Sequence, residues 1–220
     1  MQEYYSFSST EYLSDPEILE VVGSRGRRVM ELASLGAPIS PGFIVTNDTL
    51  NQIAADEAGV FEMLKDPLSD METIFEKEFN SSENPLLIKV VESPMLNMVN
   101  TFSTIHNIGL STHTVDGFAA YVGEKFAYHE FGNVFAHLAE MELLTEDVPA
   151  KRKTALEKAK KDFHEAAEKS DSKSAVLATI EKHGKVFPDE VFTDCSEQLR
   201  YVLKTYHKLF QINQSSTDSA

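Results

Sequence analysis

The chain has 220 residues, 42% of them apolar and 25% charged, which suits a soluble globular fold of one large domain or two small ones. One cysteine, Cys195, excludes an internal disulfide and any multi-cysteine zinc site and points to a reducing, cytoplasmic setting. The formal charge of -15 is uneven: residues 1–150 hold 7 Lys/Arg against 24 Asp/Glu, and residues 151–220 hold 13 against 11, a balance that argues against nucleic acid and anionic membrane as partners.

No apolar run approaches the ~20 residues that span a bilayer. The start, Met1-Gln2-Glu3-Tyr4-Tyr5, has no basic or apolar region and is not read as a secretory signal. Ser14-Asp15-Pro16-Glu17 predicts a helix start, with Ser14 as the cap. That helix runs to Gly23, and a glycine-flanked turn, Gly23-Ser24-Arg25-Gly26, leads into a second helix that Gly36 stops. Phe43–Thr46 reads as a short strand after the rigid turn Pro38–Gly42. Asn47 or Asp48 then caps a helix with Leu50, Ile53 and Ala54 inward, and the acidic stretch 57–84 is helical in flavour and ends in the loop Asn80-Ser81-Ser82-Glu83-Asn84-Pro85.

Leu86–Val91 is the strongest strand signal, bounded by Pro85 and Pro94. From Asp116 to about Leu144 the pattern is helical, with Phe131, Val134, Phe135, Leu138 and Met141 on one stripe. Pro149 breaks it. Residues 151–169 form an amphipathic helix with Leu156, Ala159, Phe163, Ala166 and Ala167 inward, and a shorter helix over 174–183 ends at Gly184. Asp194-Cys195-Ser196-Glu197 is a capping box before a last helix over 195–211. The fold class is therefore α+β with a mostly helical second half.

Local chemistry is sparse. The seven histidines are scattered, and His129 and His137 lack the spacing that puts two imidazoles on one zinc. Cys195 at a helix start could have a lowered pKa, but no histidine partner can be named for it. The turn Gly23-Ser24-Arg25-Gly26-Arg27-Arg28 has two readings. Its glycines and the following helix amides could hold a phosphate, or it is a helix-starting turn with solvated arginines.

The stretch Val22–Gly36, followed by Pro38-Ile39-Ser40-Pro41-Gly42-Phe43, resembles the start of the pyruvate phosphate dikinase and phosphoenolpyruvate synthase family, which reads LGGKGANLAEM and then VPPGF. Asn84–Val91, Asn107–Leu110 and Val115–Ala119 resemble its PLLxSVRSGA strand, NLGLND loop and the helix after it. Phe126-Ala127-Tyr128 and Phe131 look like its RFAYDSYRRF helix, and Phe187-Pro188 with the last helix look like the end of its helical insert. The resemblance covers roughly residues 5–211. It implies the N-terminal half of an ATP-grasp nucleotide domain: residues 1–115 as an α/β subdomain, 116–211 as a helical subdomain, and 212–220 as a flexible tail.

In that family ATP phosphorylates a histidine on a swivelling domain, which passes the group to pyruvate on a third domain. The resemblance puts nucleotide phosphate against Gly23, Arg25 and Gly26, with Arg25 standing where the family has lysine. The family's arginine in SVRSG falls on Val91, and the glycine-rich loop after it becomes Glu92–Thr104, without a glycine. The second half of the grasp, with its magnesium-binding acids, has no counterpart in these residues. The implied function is a pseudoenzyme-like nucleotide domain with a regulatory or interaction role, binding ATP and magnesium weakly if at all. The alternative is half of a split ATP-dependent phosphotransferase (a kinase) completed by a partner chain, and a third is an unrelated activity on the same scaffold. Met95, Leu96, Met98, Val99 and Phe102 beside the lost loop are either an interface, with Met95, Met98 and Phe102 its core, or buried under the chain's own helices.

Overall fold

Tyr4–Phe7, only four residues long, forms a strand, β1, because a partner lies 35–41 residues on: it pairs antiparallel with β2 (Gly42–Val45), Tyr5 opposite Ile44 and Phe7 opposite Gly42. In this computed structural model, which describes residues 3–93, 104–145 and 148–217, the chain is α+β, with helices and two antiparallel two-stranded sheets. It divides into two compact units, Met1–Glu76 with Val91–Phe102, and Lys77–Val90 with Ser103–Ala220.

In the first unit, α1 (Pro16–Val21) is capped by Asp15, whose carboxylate accepts the Glu17 amide, and Pro16 fills the first helical position, where no N–H is needed. The cap is thus one residue past Ser14. Helix α2 (Gly23–Ser34) starts immediately after, so Gly23 and Gly26 are its first turn and not a linker before it. It ends in a Schellman motif: Gly36, at φ +77°, donates to the Ala33 carbonyl at 2.9 Å and Ala37 to that of Leu32 at 3.0 Å. Helix α3 (Asn47–Gln52) is capped by Thr46, again one residue from the expected cap.

Ala54, predicted inward, is exposed, because α3 ends at Gln52 and the helical period ends with it. Helices α4 (Glu57–Met63) and α5 (Lys65–Phe75) follow. The helical stretch ends at Phe75, where Glu76 turns to φ 52°, a few residues before the expected loop over 80–85. Tyr5, Val22 and Met30 are the buried centre, with Leu13, Ile18, Leu19 and Ile44 packed against them.

The second unit holds β3 (Ile88–Val90) and β4 (Ile105–Ile108), antiparallel, with Ile88 opposite Ile108 and Val90 opposite Ile105. Only three residues of the predicted 86–91 strand take strand conformation. Six helices follow: α6 (Val115–Val122), α7 (Glu124–Leu143), α8 (Ala150–Ala167), α9 (Ser172–His183), α10 (Glu190–Thr193) and α11 (Cys195–Thr217). The predicted apolar stripe of α7 is buried throughout, and the buried residues of α8 are the five read from its sequence.

Phe135 is the hub of this core, with ring centroids 5.1 Å from Phe131, 5.3 Å from Phe163 and 4.6 Å from Phe192. Such edge and tilted contacts add about 0.5–1.5 kcal/mol each beyond area burial. Among the described residues no helix is long and apolar enough to cross a membrane.

Candidate functional site

The turn read as a phosphate site is the start of α2, and another stretch of the same unit lies against it. Gly23 has φ +71°, and a Cβ built on it would fall 2.1 Å from the Ser93 carbonyl oxygen. A Cβ on Gly26 would fall 2.9 Å from Ile44 Cδ1 and 3.0 Å from Val22 Cβ. Gly23 is therefore required by the close approach of the Ser93 backbone and Gly26 is tightly packed against Ile44 and Val22, a use that sequence cannot separate from anion binding.

The Gly26 amide donates to Ser93 Oγ at 2.8 Å, and that hydroxyl donates to the Val22 carbonyl at 2.6 Å. In α3 the equivalent amide, Leu50, donates straight to the Thr46 carbonyl at 2.9 Å. At α2 a side-chain hydroxyl stands in the first helical hydrogen bond. An anion at Gly26 would have to displace Ser93. As the turn stands, it does not fit a phosphate.

Arg25 and Arg27 are half-buried and Arg28 is exposed. Val91 and Glu92 are half-buried and precede Ser93 in the same unit, and it is Ser93 that meets the turn. Met95, Leu96, Met98, Val99 and Phe102 lie outside the described residues. Ser93 is the residue that sequence reasoning passed over. The available signal was a hydroxyl standing where the aligned family loop has a glycine.

The second unit holds the remaining chemistry. Cys195 begins α11, but its thiol is buried and donates to the Gly109 carbonyl at 3.1 Å. Burial pushes the thiol up to about 11, the reverse of the lowering expected from its place at a helix start, because desolvation of a thiolate outweighs the helix dipole. Asp194 caps this helix as predicted, accepting the Ser196 and Glu197 amides at 2.7 and 3.0 Å. Gln198 closes the same network: it accepts the Gly109 amide and donates to the Leu110 carbonyl, both at 2.9 Å.

Asp162 accepts from Lys182 and bonds His183, each at 2.6 Å, and these bonds hold its carboxyl below the ordinary range. Glu142 on α7 receives Arg152 Nε and Nη2 and the Tyr201 hydroxyl. His129 lies between the Ala167 carbonyl and the Asn133 amide, and burial pushes His137 below its ordinary value. No group of three or more His, Cys, Asp or Glu among the described residues is arranged to hold a metal ion.

No protein-family model matches the chain. It is 29% identical over 224 residues to the pyruvate, phosphate dikinase of Treponema pallidum, covering 96% of this chain and 24% of that protein. It is 31% identical over 116 residues to the chloroplastic pyruvate, phosphate dikinase 1 of Zea mays, covering 51% of this chain and 12% of that protein. The match to the pyruvate, phosphate dikinase of Entamoeba histolytica is 27% over 152 residues, covering 67% and 17%. The chain thus spans about a quarter or less of the length of these curated relatives.

Proposed function

We propose that this chain is a nucleotide-domain module of the pyruvate phosphate dikinase type, built as the N-terminal half of an ATP grasp, that does not transfer phosphoryl groups on its own. Similarity to a dikinase along 96% of the chain supports the family part of this reading. The loss of transfer rests on one observation: Ser93 occupies the turn where phosphate would sit, its hydroxyl on the Gly26 amide and its carbonyl over Gly23.

The neighbouring substitutions act in the same direction. Phosphoryl transfer depends on clamping charge with cations and metal. Val91, at the place of the family's arginine, offers neither charge nor donor. A carboxylate such as Glu92, brought to ~4 Å from a phosphate, costs roughly 1–4 kcal/mol per unit charge at effective dielectrics between 80 and 20. Arg25 keeps a positive charge, but a planar guanidinium does not reproduce a point ammonium.

Calorimetry with ATP and magnesium on the whole chain tests the reading. The expected result is no binding tighter than millimolar. The triple variant Val91→Arg, Glu92→Ser, Ser93→Gly should bind measurably better than the parent. Micromolar affinity in the unaltered chain would overturn the proposal.

A further inference from the structure

We infer that the uncovered end of α5 is a docking surface for a basic amphipathic helix of a partner protein. An apolar stripe runs along α5 at spacings of three and four: Leu64 just before it, then Pro67, Leu68, Met71, Ile74 and Phe75. Its start faces the interior of the first unit, with Leu64 2% exposed and Pro67 buried. Leu68 and Met71 are half-buried. In the last turn the stripe is uncovered, Ile74 being 55% and Phe75 37% exposed. A stripe that served only this unit's core would turn polar where the core ends.

The charge beside the stripe points to what covers it. Asp66, Asp70 and Ile74 lie four residues apart on one line along the helix, stepping ~6 Å at a time. Both carboxylates are exposed, and among the described residues neither makes an ion pair or a side-chain hydrogen bond. Like charges at this spacing oppose the helix, and a cation brought between them would relieve that. Lys65 is the one base of α4 and α5, and Glu62 holds it at 2.6 Å. The first unit as a whole carries 15 Asp/Glu against 4 Lys/Arg, a net charge of -11.

Charge also argues against other occupants. A second copy brings its own formal charge of -15, and an anionic lipid surface is repelled in the same way. A helix with large apolar side chains on one face and Lys/Arg along its border meets both features at once. Its apolar side chains cover Ile74 and Phe75, and its cations pair with Asp66 and Asp70. That is the helix-on-helix mode of recognition, in which apolar anchors give affinity and flanking charges give specificity.

This inference does not rest on the reading of the Gly23–Gly26 turn. The test is fluorescence anisotropy of the whole chain with a labelled synthetic amphipathic helix of leucine and lysine, and with its leucine–glutamate counterpart. Saturable binding of the lysine peptide alone is the expected result. The variant Ile74→Ser, Phe75→Ser should weaken it about tenfold or more. Asp66→Asn, Asp70→Asn, which changes two exposed side chains, should weaken it about threefold. Glu11→Gln, Glu31→Gln removes the same charge elsewhere in the first unit and should leave it unchanged. Equal weakening by that control would reduce the effect to general charge attraction and overturn the inference, as would full binding by the Ile74 and Phe75 variant. Unfolding of that variant, with the Asp66 and Asp70 variant binding as the parent does, would assign the stripe to the chain's own core. Self-association of the parent that the Ile74 and Phe75 variant loses would assign it to a second copy. Either result overturns the inference.

Discussion

Replacing Ser93 with alanine removes one oxygen and two hydrogen bonds from the junction of α1 and α2. The bonds measure 2.6 Å to the Val22 carbonyl and 2.8 Å from the Gly26 amide. Each is worth about 1 kcal/mol net, and a buried partner left unsatisfied costs about 1–3 kcal/mol. Gly26 is buried and Val22 is 1% exposed, so water cannot readily replace the hydroxyl. If the Gly26 amide and the Val22 carbonyl close onto each other, the loss is near 1 kcal/mol; if they stay apart, it is near 3. The expected cost is therefore about 2 kcal/mol.

For a unit of this size that lowers the melting temperature by roughly 8–15 °C. Urea denaturation followed by circular dichroism measures it, and exchange of the Gly26 amide proton reports the site directly. Because the chain has two units, the two transitions are fitted separately. The variant also uncovers the Gly26 N–H, so sulfate should raise its melting temperature more than that of the parent. A variant within about 0.5 kcal/mol of the parent, with Gly26 exchange unchanged, refutes the bridging hydroxyl and removes the observation behind the proposed absence of phosphoryl transfer.

Three other outcomes are expected. The Cys195 thiol, buried and pushed up to about 11, should react with Ellman's reagent only as fast as the second unit unfolds; rapid stoichiometric labelling of the folded chain would contradict its burial. Glu142→Gln removes the charge that pairs with Arg152 and leaves one acceptor oxygen where Arg152 and Tyr201 now share two, and should cost about 1–3 kcal/mol. In ultraviolet titration Tyr201 should then ionise at lower pH than in the parent, because the Glu142 charge is one cause of its raised value. Asp162 is held below its ordinary 3.8 by hydrogen bonds from Lys182 and then His183. The unfolded chain therefore binds the proton more readily: the stability from this group is complete above the ordinary value and is lost as pH falls through the folded one. Urea midpoints of the parent and Asp162→Asn should thus converge below about pH 4, and a constant gap at all pH values would count against this pairing.

Local pattern was enough for much of the helical half. The buried stripe of α7 and the five inward residues of α8 could be read directly, because a 3.6-residue period encodes which face is apolar before any partner is known. Gly36 could be read as a stop, since a left-handed C-terminal residue is a property of that residue. The helix-capping positions of α1 and α3 came within one residue for the same reason.

What only the tertiary structure decided depends on pairs far apart in the chain. Strand β1 exists because residues 35–41 positions away supply its hydrogen bonds, and β4 because it returns to meet β3. The Gly23–Gly26 turn kept two readings in the sequence, since a missing Cβ serves an anion and a crossing chain equally well. Ser93, 67 residues from Gly26, is such a crossing chain. Cys195 stood at a helix start, where the dipole alone would lower its pKa. Its true surroundings, Gly109 and Ser111, come from more than 80 residues away, and burial among them reverses the sign. Periodicity and capping act over a few residues and are written locally, whereas desolvation and hydrogen bonds between distant segments are settled only when the chain closes on itself.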